Sequence, residues 1–163
     1  MKKKQKIIVV TILFVLGVSS ITLSLENFFF TTQYYKTPLL AYNADCTYDI
    51  VYGDTKVQKG IGVFNFDSEN CLFIGELNNN YFVVAEMSIK NEEYAFKGIS
   101  MIYDVKGISD GINSHNQTNT LAGQVTWSIL YNQSEISTLS NVNSVESYTL
   151  SNGYTIYVVV YND

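Results

Sequence analysis

Cys71-Leu-Phe-Ile-Gly-Glu-Leu77, Asn78-Asn-Asn80 and Tyr81-Phe-Val-Val-Ala-Glu-Met-Ser-Ile89 decide the fold of this 163-residue chain. Two runs rich in β-branched and aromatic side chains, parted by three asparagines, predict two antiparallel strands and their connecting turn. Tyr81-Phe-Val-Val-Ala85 is apolar on both faces, so this strand is expected to be central and covered on both sides. Tyr157-Val-Val-Val-Tyr161 has the same character.

The pattern continues in both directions. Cys46–Tyr52 and Gly60–Phe66 precede the hairpin; Tyr94–Val105, Val125–Tyr131, Val145–Leu150 and Tyr154–Tyr161 follow it. Val125, Trp127 and Ile129 alternate with Thr126, Ser128 and Leu130, the period-2 signature of a strand with one buried face. Turn chemistry separates the runs at Gly53-Asp54, Asp67-Ser-Glu-Asn70, Asn91-Glu-Glu93 and Ser151-Asn-Gly153. The expectation is an all-β domain: an antiparallel meander of about eight strands forming a small barrel or sandwich. Lys106–Gly123 shows no apolar period and is expected to be irregular. Ser134–Ser144 is read as carrying a short helix.

The N-terminus has a different character. Lys2, Lys3, Lys4 and Lys6 precede an uncharged run of 19 residues, Ile7–Leu25. That is about the ~20 residues needed to cross a bilayer core, and the lysines orient the amino end toward the cytoplasm. Phe28-Phe-Phe30, Tyr34 and Tyr35 stand where an interfacial aromatic belt would. The competing reading is a cleaved signal peptide, for which Val18-Ser-Ser20 and Thr22-Leu-Ser24 offer imperfect cleavage sites. On the anchored reading, 1–6 is a cytoplasmic tail, 7–25 a transmembrane helix, 26–44 a connector containing Pro38, and 45–163 an exported β domain.

Beyond Leu25 lie six lysines, no arginine and all fifteen carboxylates, a net charge of −9. Such a domain repels a phosphate backbone, and the basic tail is too short for any DNA-reading module, so direct nucleic-acid binding is excluded. Cys46 and Cys71 both fall in the exported part. An even count in an oxidising compartment predicts one disulfide, worth roughly 3–3.5 kcal/mol for a loop of this size.

Catalytic signatures are sparse. His115 is the sole histidine and lies in the polar stretch Asn113-Ser-His-Asn-Gln117. It is read as a solvated residue, with proton sensing as the sharper alternative because its ordinary pKa lies near neutrality. Neither a G-x-S-x-G elbow, a phosphate-binding loop nor a metal-ligand cluster is present in the sequence. Glu92, Glu93 and Asp104 read as turn and edge residues rather than as a glycosidase pair. No catalytic residue, metal or cofactor is expected. Thirteen tyrosines and nine phenylalanines supply the core, and any surplus would mark a partner surface.

Met1-Lys-Lys-Lys-Gln-Lys6 ahead of Ile7–Leu25, Cys46 opening the first strand, Cys71 after a short hairpin, and a terminal Tyr154-Thr-Ile-Tyr-Val-Val-Val-Tyr161 make a layout that covers the whole chain. It resembles the F proteins of the Psa and Myf fimbrial operons and, more distantly, FidL-like membrane proteins and co-regulators of the ToxS type. The resemblance implies a single-pass inner-membrane protein with its C-terminal domain in the periplasm. It implies no enzymatic activity, and a partner: a membrane-bound activator with a cytoplasmic winged helix-turn-helix, whose periplasmic segment this chain binds and protects so that fimbrial or virulence genes are expressed. Some relatives form a lipocalin-like barrel jointly with the activator's periplasmic domain and accept an amphipathic ligand there, so the resemblance leaves a small amphipathic ligand open for this chain. A ligand- or pH-sensing module and a secreted fimbrial accessory protein are the alternatives.

Overall fold

In the computed structural model the described residues are 32–46, 56–77, 81–104, 114–131 and 133–162. The expected membrane span 7–25, the tail 1–6 and the strand expected over Cys46–Tyr52, apart from Cys46 itself, lie outside them. Among the described residues no helix is long and apolar enough to cross a membrane. One compact unit runs from Tyr34 to Asp163.

This unit opens with a helix, α1 (Pro38–Asp45), where a connector was expected. The local signals are sound. Thr37 is the N-cap, its Oγ1 accepting from the Leu40 N–H at 3.2 Å, and Pro38 sits in the first turn, where its missing N–H costs nothing. The helix stops at Cys46, which turns to extended geometry while its N–H still reaches the Tyr42 carbonyl. Cys46 therefore ends a helix rather than opening a strand.

Sheet A follows as a simple meander: β1 (Val57–Asn65), β2 (Asn70–Leu77), β3 (Tyr81–Lys90) and β4 (Glu93–Asp104) are neighbours in chain order. The β3–β4 turn places Asn91 and Glu92 at φ of 52° and 62°, the left-handed pair that a tight hairpin requires. Sheet B contains β5 (Ser114–Thr120), β6 (Gly123–Leu130), β7 (Val142–Thr149) and β8 (Thr155–Tyr161), ordered β5-β6-β8-β7. Here the expected meander is broken. The β6–β7 connection carries a four-residue helix, α2 (Gln133–Ile136), and is too long for a hairpin. β7 thus lands at the edge, and β8 returns between it and β6 through the turn at Gly153, whose φ is 88°.

The two sheets form a sandwich. Between them, Phe64, Leu72, Ile74, Phe82 and Val84 from sheet A meet Trp127, Ile129, Ile156, Val158 and Val160 from sheet B. The other face of sheet A is also buried. Phe73, Val83, Ala85 and Met87 pack there with Ala41 and Tyr42 of α1. Alternate residues of β2 and β3 therefore serve two cores, which is why 82–85 reads as a continuous apolar run. The Phe82 and Tyr103 rings stack at 4.7 Å in this core, with Tyr131 edge-on to both.

The predicted disulfide is corrected: Cys46 and Cys71 are free thiols. Cys71 is buried on the helix-facing side of β2, and Cys46 packs against the same apolar layer. Burial pushes the Cys71 thiol up to about 12; Lys97 acts to lower it and Asp67 to raise it. Helix and sheet are joined by packing instead.

Candidate interaction surface

A sandwich of two open sheets has four edge strands, here β1, β4, β5 and β7. Each edge offers unpaired backbone N–H and C=O groups, and proteins blunt such edges with bulges, charges or covering segments. Three of the four are blunted. At the start of β1 the Asn43 side-chain amide imitates a neighbouring strand: Asn43 Nδ2 donates to the Val57 carbonyl, and the Val57 N–H donates to Asn43 Oδ1, both at 2.9 Å. Two register shifts follow along the β1–β2 pair, and β1 carries Lys59.

β4 is covered at its beginning. The Tyr35 N–H donates to the Tyr94 carbonyl and the Tyr94 N–H returns the bond, at 2.8 and 2.7 Å. Lys36 pairs with Glu93, and the Tyr35 hydroxyl donates to Asp45 at 3.0 Å. Burial first, then the Asp45 carboxylate, raises the Tyr35 pKa. β4 also has two register shifts against β3. β7 has one shift, between Val142 and Ser144, and carries Glu146.

β5 has none of these devices. Its seven residues, Ser-His-Asn-Gln-Thr-Asn-Thr, pair with β6 in unbroken register from Ser114 opposite Ile129 to Thr120 opposite Gly123. It contains no carboxylate, lysine or proline. The strand holds its place through Thr118, buried between the sheets, whose Oγ1 accepts from Trp127 Nε1 at 2.9 Å. Gln117 and Asn119 are exposed. His115, expected in an irregular loop, is instead a strand position opposite Ser128. Its neighbourhood was misread because a strand anchored by one threonine and backbone pairing shows no apolar period.

The outer face of sheet B is partly roofed by the β6–β7 connection. A shallow groove of about 370 Å³ lies between α2 and the sheet, lined by Gln133, Ile136, Ser137, Val145, Ser147 and Tyr157.

Six carboxylates are engaged as acceptors in the framework. Glu76 accepts from the Ser151 N–H and hydroxyl, which joins the end of β2 to the β7–β8 hairpin, and Lys59 reaches the same hydroxyl at 2.9 Å. Asp67 accepts from the Glu69 and Asn70 N–H groups and, across the sandwich, from the Leu121 N–H at 2.8 Å. Burial alone would raise the Asp67 carboxyl; the hydrogen bonds from Leu121, Glu69 and Asn70 outweigh it and hold it below its ordinary value. Glu86 accepts from Ser100, Glu146 from the Tyr148 hydroxyl, and Asp45 from Tyr35. Glu93 is the partner of Lys36, and Asp104 ends β4. Among the described residues, no group of three His, Cys, Asp or Glu side chains could hold a metal ion.

Comparison of the chain with family models, with curated proteins and with solved structures finds no match in any of the three.

Proposed function

We propose that this chain is a non-enzymatic co-regulator anchored in the inner membrane by 7–25. Its exported sandwich would bind the periplasmic segment of a membrane-bound winged-helix activator. The observation that carries this reading is the contrast among the four sheet edges: sheet A is blunted on both sides, whereas sheet B keeps open backbone. An open edge is a surface for extending another protein's sheet. The commitment of Asp45, Asp67, Glu76, Glu86, Glu93 and Glu146 to framework contacts supports a binding rather than a catalytic role.

The test is genetic and biochemical. With the activator gene driven from a foreign promoter, deleting this gene is expected to lower activator protein without lowering its mRNA. The full-length chain should co-purify with the activator from detergent-solubilised membranes. Unchanged activator abundance together with no co-purification rejects the reading.

A second reading, a module that senses a small amphipathic ligand, is favoured by the groove beneath α2, where Ile136, Val145 and Tyr157 face Gln133, Ser137 and Ser147. Its volume is near the lower end of ordinary ligand sites. If a ligand binds there, Val145→Asp should abolish binding while leaving co-purification with the activator unchanged.

A further inference from the structure

We propose that β5 pairs with β5 of a second copy of this chain, antiparallel about a two-fold axis through Gln117, so that two B sheets join into one continuous sheet. Three observations carry this. First, β5 is the one edge strand with neither a register shift nor a covering segment among the described residues. Second, it is the edge on which two like-charged molecules can meet. Beyond Leu25 each copy carries a net charge of −9. In full overlap a β4 pair would oppose Glu93 to Asp104, while β7 carries Glu146 and β1 carries Lys59. β5 presents only serine, histidine, asparagine, glutamine and threonine. Like charges directly opposed across strands are destabilising, and β5 carries no carboxylate or lysine to oppose.

Third, the strand is matched to itself. Full overlap of two seven-residue antiparallel strands puts the fourth residue, Gln117, on the axis. Asn116 then falls opposite Thr118, His115 opposite Asn119, and Ser114 opposite Thr120. The two exposed Gln117 amides can then bond to each other as donor and acceptor. An isologous contact of this kind closes after two copies, so it yields a dimer and not a filament.

The axis position makes the proposal testable with residue 117 alone, which is exposed and so free to vary. The full-length chain in detergent micelles, examined by light scattering across micromolar concentrations, is expected to be a dimer. Gln117→Glu and Gln117→Lys each place like charges on the axis and should weaken dimerisation about tenfold or more, with far-UV circular dichroism unchanged. Mixing the two variants should restore a heterodimer, because the charges then oppose. In a Cys46→Ser background, Gln117→Cys should form a covalent dimer on mild oxidation, whereas Asn119→Cys, displaced from its own copy, should not. A wild-type chain that stays monomeric overturns the proposal. So does a dimer indifferent to both charged variants, or one cross-linked through residue 119 and not 117. The activator segment of the co-regulator reading would extend this same edge, so the homodimer is the state of the chain without activator; these readouts need none and stand or fall separately from that reading.

Discussion

Sheets A and B have the same number of strands and different surroundings. Sheet A is buried on both faces, by sheet B on one side and by α1 on the other, and the beginnings of its two edge strands are held by Asn43 and Tyr35. Sheet B shares the inter-sheet core, but its edges are polar: β7 is exposed along most of its length and β5 is built from small polar residues. Burying both faces of one sheet concentrates apolar area, and so stability, in A. Sheet B is thereby left to present backbone. The molecule divides into a scaffold sheet and a presenting sheet, joined by one core.

That division can be broken most forcefully at the shared core. Trp127→Ala removes the largest fully buried side chain and should cost about 3–5 kcal/mol. If the sheets are one cooperative unit, circular dichroism during denaturant unfolding will show a single, lowered transition. Two separated transitions would mean that A outlives B.

A narrower test addresses the seam between β1 and β7. Gly62 lies directly beneath the Tyr148 ring, and a Cβ there would overlap Tyr148 Cε1 and Cδ1. Gly62→Ala should therefore destabilise by about 2 kcal/mol through overpacking. Truncating the ring in the Gly62→Ala/Tyr148→Ala double variant should relieve much of that strain, so the two costs should fall short of adding. Strict additivity would show that the seam is not closed by this contact.

The anchoring of β5 is probed by Thr118→Val, which keeps shape but leaves the Trp127 indole N–H buried without its acceptor. The expected cost is about 1–2 kcal/mol. Trp127 is the sole tryptophan, so its emission reports the change directly. Hydrogen exchange should rise in β5 while β2 and β3 stay protected; a uniform rise would contradict the division between scaffold and presenting sheet.

The smallest effect expected is acid-dependent. The Asp67 carboxyl is depressed in the folded state, so its contribution to stability is present above the ordinary carboxylate range of about 4 and is lost as pH falls through the lowered value. Asp67→Asn should lower stability modestly at pH 7 and flatten the stability-versus-pH curve between about pH 5 and pH 3, the two proteins converging in acid. An unchanged acid slope would show that the bond to Leu121 is not what ties the β1–β2 turn to the β5–β6 turn.

Much of sheet A and half of sheet B can be read residue by residue. The runs at 71–77, 81–89 and 154–161 fall within one or two residues of β2, β3 and β8, and Tyr81–Ala85 and Tyr157–Tyr161 are interior strands as their two-faced apolarity requires. Val125, Trp127 and Ile129 do face the core. What escaped reading was structure held by few side chains. In α1 two residues, Ala41 and Tyr42, are fully buried, and Thr37-Pro38 starts a helix where a lone proline reads as connector. In β5 one residue, Thr118, is buried among the described side chains, so periodicity has nothing to detect. The candidate edge was hidden with it, because the strand itself went unrecognised.

Local chemistry thus determined where most strands begin and end, that the domain is acidic, and that its central strands are covered on both sides. These follow from side-chain polarity and turn residues acting over a few positions. Tertiary structure alone decided that β8 inserts between β6 and β7, that the sheets stack as a sandwich around a shared core, and that Cys46 and Cys71 stay thiols. It alone also decided which of four edges is left open. Each of these depends on neighbours brought together from distant parts of the chain, and an edge is defined by the strand that does not lie beside it.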